Sequence, residues 1–180
     1  MSVGPISCHV FAVRGYVTLI HKGPDGTIKR METVPNLMKE KGVDWIASNW
    51  GIGSETSPAR YAGLAGTTVQ ADAIDGPAAA DDTICGEGLW FTQTAEDAGT
   101  TLGRMTASYA HVAAAQNWTL STSWSGGNSS ASAYIYYVAL SPCQSAGGTP
   151  IIAAASFAVV SKASQDTLTV AWTFCISNSV

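Results

Sequence analysis

Residues able to do chemistry are few in this chain, and they are scattered. The densest group is acidic: Asp72, Asp75, Asp81 and Asp82, gathered around Gly76 and Pro77. Carboxylates this close could hold a calcium ion, a hard cation that takes several oxygen ligands. An EF-hand loop needs D-x-[DN]-x-[DN]-G, with ligands at alternate positions before the glycine. Alignment on Asp75-Gly76 puts Ala71 and Ala73 where two of those ligands belong. The pattern fails, and a solvated surface loop accounts for the same charges.

Nucleophilic catalysis needs a base near a Ser or Cys, and a third group to orient that base. The three histidines are His9, His21 and His111. His9 stands beside Cys8 near the start of the chain, and His21 closes a predicted strand. His111 falls where a related passage carries Val159, so packing rather than reaction is expected there. The four cysteines, Cys8, Cys85, Cys143 and Cys175, form no C-x-x-C pair, which zinc sites favour, so free thiols are expected. The glycine pairs Gly126-Gly127 and Gly147-Gly148 join strands instead of leading from a strand into a helix, so neither reads as a phosphate loop. Asn117-Trp118-Thr119 and Asn128-Ser129-Ser130 match the glycosylation pattern only by coincidence if the chain is not secreted. No residue is assigned a catalytic, cofactor-binding or metal-ligating role, and no enzymatic activity is expected.

The elements that would position any site are strands. Leu168, Val170, Trp172, Phe174 and Ile176 alternate with Thr169, Ala171, Thr173 and Cys175, giving one large apolar face and one small, mixed face. Burial of each large side chain contributes roughly 1.5–3 kcal/mol. Such a strand is aggregation-prone unless covered, so a second sheet must lie over it. A matching passage precedes it. Ala107 to Val112 lies over Ala155 to Val160, and Thr119 to Trp124 over Thr167 to Trp172, at one gapless offset. About eight of roughly nineteen aligned positions are identical, which reads as a strand-loop-strand unit used twice, over 105–125 and 153–173. Trp124 and Trp172 are then equivalent core anchors in two related hairpins.

Upstream, residues 1–13 read as an extended N-terminal arm that packs on a neighbour. Arg14 to Val34 reads as a hairpin turning at Gly23-Pro24-Asp25-Gly26, whose residues supply restricted and positive φ values. Pro35, lacking an N–H, ends its second strand. Asn36 is placed to cap one short helix reaching Trp50, with Val43, Ile46, Ala47 and Trp50 on its apolar stripe. Gly42 weakens its first turn. Strands are expected at Ala59–Leu64 and Gly88–Thr92, with a polar loop over 66–84 between them. Ser132 to Leu140 and a loop over 141–150 link the two repeat units. Many short strands and one helix predict a mainly β fold: a jelly-roll-like β-sandwich over 14–180, preceded by the arm.

Composition narrows the function. The chain has 180 residues, only 12% charged, and a net charge of −4. One domain of that size can bury a substantial core. An acidic balance argues against nucleic-acid binding, which relies on Lys and Arg to neutralise phosphates. The tryptophans sit among Ser and Thr and not among bases, so they read as core and not as stacking platforms for single strands. No leader-like segment is read in Met1 to Ile6, and no apolar run reaches the roughly 18 residues of a membrane span. A product that stays soluble in a cytoplasm, with no membrane partner, is expected. A sparsely charged surface in such a chain is expected to meet neighbouring subunits.

The tail, Ile151 to Phe157 and then Gln165-Asp166-Thr167-Leu168-Thr169-Val170-Ala171-Trp172-Thr173-Phe174, resembles the end of small virion structural proteins of tailed bacteriophages. So do Asn36-Leu37-Met38 before Gly42-Val43-Asp44-Trp45-Ile46-Ala47, Arg60 to Gly66, and Gly86-Glu87-Gly88-Leu89-Trp90. Ser132 to Tyr137 departs from the glutamate-glycine-leucine-phenylalanine turn common in those proteins. The resemblance implies a non-enzymatic virion component without cofactors, assembled in the host cytoplasm. A capsid decoration or cement protein is expected first: a homo-oligomer, for instance a trimer, bound to the major capsid protein. The runner-up is a tail, baseplate or fibre component. A carbohydrate-binding β-sandwich, using exposed Trp and Tyr with the acidic loop, is the alternative of another class.

Overall fold

The computed structural model describes residues 10–38, 42, 45, 46, 49, 60–65, 102, 105–125, 133–141 and 152–179. The acidic loop with Asp72, Asp75, Asp81 and Asp82, the strand expected at Gly88–Thr92, His9, Cys8, Cys85, Cys143 and both glycine pairs lie outside them. Ten strands are described: β1 (Val10–Lys22), β2 (Ile28–Pro35), β3 (Leu37–Met38), β4 (Tyr61–Ala65), β5 (Met105–Thr106), β6 (Ser108–His111), β7 (Asn117–Trp124), β8 (Ala133–Ser141), β9 (Ala153–Lys162) and β10 (Thr167–Ser179). They form two five-stranded sheets, ordered β2-β1-β10-β7-β6 and β3-β9-β8-β4-β5, with antiparallel pairing throughout. The protein is thus mainly β and sandwich-like.

The core lies between the sheets. From the first come Val17 and Leu19, Leu120 and Trp124, and the β10 row Leu168, Val170, Trp172 and Phe174. From the second come Leu64, Ile135, Val138, Leu140, Ala155, Phe157 and Val160. The period-two face read in β10 is therefore the buried one, with Trp124 and Trp172 both fully enclosed.

The β1–β2 hairpin forms where its turn chemistry demands. Gly26 N–H donates to Gly23 O at 3.0 Å, and Gly26 takes the left-handed φ of 81° that glycine adopts without steric cost. Asp25 accepts from the N–H and the hydroxyl of Thr27, and these bonds hold its carboxyl below the usual range. Pro35 closes β2 on a sheet edge, where its missing N–H costs no ladder bond.

Three expectations are corrected. Strand β1 starts at Val10, and Val10 to Val13 pair with Ser179 to Ile176, so four residues assigned to the arm belong to the sheet. The cause is the length of β10, which runs on to Ser179 and offers them a ladder. Asn36 caps no helix: its N–H donates to Gly15 O at 3.0 Å, and Leu37–Met38 pair with Ala154 and Ala153 as β3. Helical backbone follows at Gly42, Trp45, Ile46 and Asn49. Gly42 there is a seat, not a weak point. A Cβ on it would lie 2.1 Å from Ile152 O, so only glycine lets the helical segment approach β9 this closely.

The two matched passages, third, take different places. Strands β6 and β7 make a hairpin within the first sheet, whereas β9 and β10 lie in opposite sheets. What the passages share is a direct partnership of their second strands. Leu120 pairs with Trp172, Thr122 with Val170 and Trp124 with Leu168. The sequence offset matches Thr122 to Val170, so β7 and β10 pair about their common midpoint, each leucine opposite the other strand's tryptophan.

Candidate functional site

His21 is drawn to the core side of β1 by the alternation that buries Val17 and Leu19. A buried imidazole needs a partner. Its Nε2 lies 2.7 Å from Oδ2 of Asp166, in the short turn between β9 and β10. An ionised carboxylate only accepts, so this nitrogen carries the hydrogen and donates. Lys29 of β2 donates to both Asp166 oxygens, at 2.8 and 2.9 Å, and the Ala163 N–H adds a bond of 3.0 Å. Asp166 N–H returns a bond to Ala163 O, closing the turn.

Asp166 is almost wholly buried, at 1% exposure. Burial alone would raise its carboxyl pKa. Donation from Lys29, Ala163 and His21 outweighs that and holds it at about 2, against the usual 3.8. Lys162, also buried, donates to Ala163 O at 3.2 Å. Burial pushes its ammonium below the usual lysine value, while the Asp166 charge pulls the other way. On the same side Arg30 reaches across to Val159 O of the opposite sheet at 2.8 Å and pairs with Glu32. The β1–β2 hairpin is thereby fastened to β9 and to the β9–β10 turn.

A histidine oriented by a carboxylate is two-thirds of a catalytic triad. Among the described residues, no hydroxyl or thiol is hydrogen-bonded to His21. The arrangement acts as a polar latch at one end of the sandwich. Sequence reading noted both residues but not their meeting, because 145 positions separate them. A signal did exist: an aspartate placed directly before an apolar-alternating strand is well placed to cap a tight turn.

The other residues singled out do not converge. His111 is exposed and donates from Nε2 to Ala115 O at 3.1 Å, bracing the β6–β7 turn. Val159, its counterpart, is 44% exposed, so the expected packing role of this position is corrected. Both strands present it outward. Cys175 is a free, half-buried thiol on the outer side of β10. Asn117 and Trp118 lie in β7, where Trp118 stacks on Phe174 at 5.3 Å. Among the described residues no three His, Cys, Asp or Glu side chains come together as a metal site, and no helix is long and apolar enough to cross a membrane.

The outward face of the first sheet is the other coherent surface. Ladder pairing sets three rows across it. These are Met31-Ile20-Thr169-Ser123, then Thr33-Thr18-Ala171-Ser121-Ser108, then Pro35-Tyr16-Thr173-Thr119-Ala110. Hydroxyls pair between strands, Thr18 with Thr33 at 3.0 Å and Ser123 with Thr169 at 2.7 Å. No charged side chain interrupts these rows, and Arg14 and Lys22 flank them at either end of β1. Exposed Tyr16 and Met31 stand on the face itself. No protein-family model, curated protein or solved structure matches the chain.

Proposed function

We propose that the protein is a non-enzymatic structural subunit of a tailed-phage virion, a capsid decoration or cement protein seated on the major capsid lattice. The observation that carries this reading is the uncharged, three-row outer face of the first sheet. Most of its side chains are small, with Tyr16, Ile20 and Met31 adding apolar surface; its hydroxyls are partly satisfied among themselves, and its three rows carry no charge to desolvate on contact. The same face would serve a homo-oligomer, a trimer included. The resemblance of the β9–β10 sequence to phage virion proteins directs the proposal to this class of particle.

A jelly-roll wind belongs to the same reading. In such a wind the first strand lies against the last and an early strand of the opposite sheet against the last but one; here β1 lies beside β10 and β3 beside β9. The N-terminal arm, shortened to the residues before β1, would be ordered by a neighbouring subunit. A carbohydrate-binding module draws less support, since Trp124 and Trp172 are enclosed in the core and cannot offer a ring to a sugar.

Counting copies in purified particles by quantitative mass spectrometry tests the proposal. Hundreds of copies per particle are expected. A handful or dozens would move the protein to the tail, baseplate or fibre, and absence from particles would overturn the virion reading.

A further inference from the structure

At the end of the sandwich away from the latch lies a pocket of about 400 Å³. Sandwich cores pack to near-crystalline density, so a space of this size is not packing slack. It falls within the range of small-molecule sites. Its walls are almost wholly apolar: Trp45 and Ile46 from the helical segment, Trp118 of β7, Phe174 of β10 and Leu140 of β8. The stacked rings of Trp118 and Phe174, 17° from parallel, form a flat wall. Among the described residues of the lining, Arg60 and Tyr109 carry the polar side chains. Arg60, beside β4, is exposed, and no carboxylate among the described residues pairs with it.

We infer that this pocket binds a small amphiphilic anion, with a flat apolar body against the rings and one acidic group held by Arg60. Charge complementarity selects the head group, because Arg60 is the one charged residue among the described residues of the lining. A guanidinium only donates, and an acidic oxygen accepts from it in a charge-assisted hydrogen bond. The site is independent of the virion reading.

The probes are anilinonaphthalene sulfonate and its uncharged parent phenylnaphthylamine, titrated by fluorescence against the full chain. The wild type should bind the sulfonate at one saturable site, roughly tenfold tighter than the parent, as a charge-assisted hydrogen bond provides. The Trp45 indole N–H resonance should move in step with that binding. Arg60→Gln, an exposed change, should remove the preference between the two dyes. Ile46→Trp should fill the space and abolish binding of both while the melting transition stays cooperative. Equal wild-type affinity for the two dyes, or an unmoved Trp45 resonance at saturation, would overturn the inference. Should Ile46→Trp not fold, the dye comparison between wild type and Arg60→Gln still decides it.

Discussion

A carboxylate withdrawn from water at Asp166 would be costly without the donors around it. His21, Lys29 and the Ala163 N–H supply them, and the pKa held at about 2 measures how strongly they favour the charge. The sign of the linkage follows. A lowered folded-state pKa contributes stability that is fully present above the unfolded value near 4 and is lost as pH falls towards 2. Asp166→Asn should cost about 1.5–3 kcal/mol at pH 6, the range for hydrogen bonds to a charged group. The gap between variant and wild type should narrow from pH 4 down to pH 2. Urea midpoints of both proteins across that interval check it, and a constant gap would mean the carboxylate's charge is not what matters. None of this could be read from spacing. The pairing of His21 with Asp166 is made by β1 lying along β10, a tertiary fact with no local trace.

At the scale of elements, the legible parts were those fixed by local chemistry. The β10 alternation, the Gly23 to Gly26 turn and the edge position of Pro35 all follow from period, φ preference and a missing donor. The β3 pairing and the role of Gly42 did not, because each depends on β9 being near. Sequence similarity between the passages signalled a true feature but the wrong geometry: it marks the β7–β10 pair, not two hairpins. That pair suggests a specific outcome. Trp124→Ala and Trp172→Ala each remove a fully buried ring and should each cost about 3–5 kcal/mol. His111→Val, on an exposed position, should stay within about 0.5 kcal/mol of wild type, plus whatever its bond to Ala115 contributes. Chemical denaturation of the three variants tests the contrast, and a Trp variant as stable as wild type would remove that strand pair from the centre of the core.

For the whole molecule, the two ends of the sandwich and its outer face divide the work. One end is fastened by His21, Lys29, Arg30 and Asp166; the other holds the apolar pocket. The outer face of the first sheet remains, uncharged across three rows and flanked by Arg14 and Lys22. On the proposed reading that face meets the capsid lattice or a second subunit, and a charge at its centre must then be desolvated on contact. Ala171 sits in the middle row between Thr18 and Ser121. Ala171→Lys should leave the melting temperature close to wild type, since the new ammonium reaches solvent in the free chain. The same substitution should abolish most incorporation into particles, because a buried, unpaired ammonium costs several kcal/mol. A control charge at Ala158, exposed on β9 of the opposite sheet, should leave incorporation unchanged. Particles assembled with each variant and weighed by protein content separate the cases. Normal incorporation of Ala171→Lys would remove the outer face from the interface, and equal loss with Ala158→Lys would show that added charge anywhere, not contact at this face, is what the particle rejects.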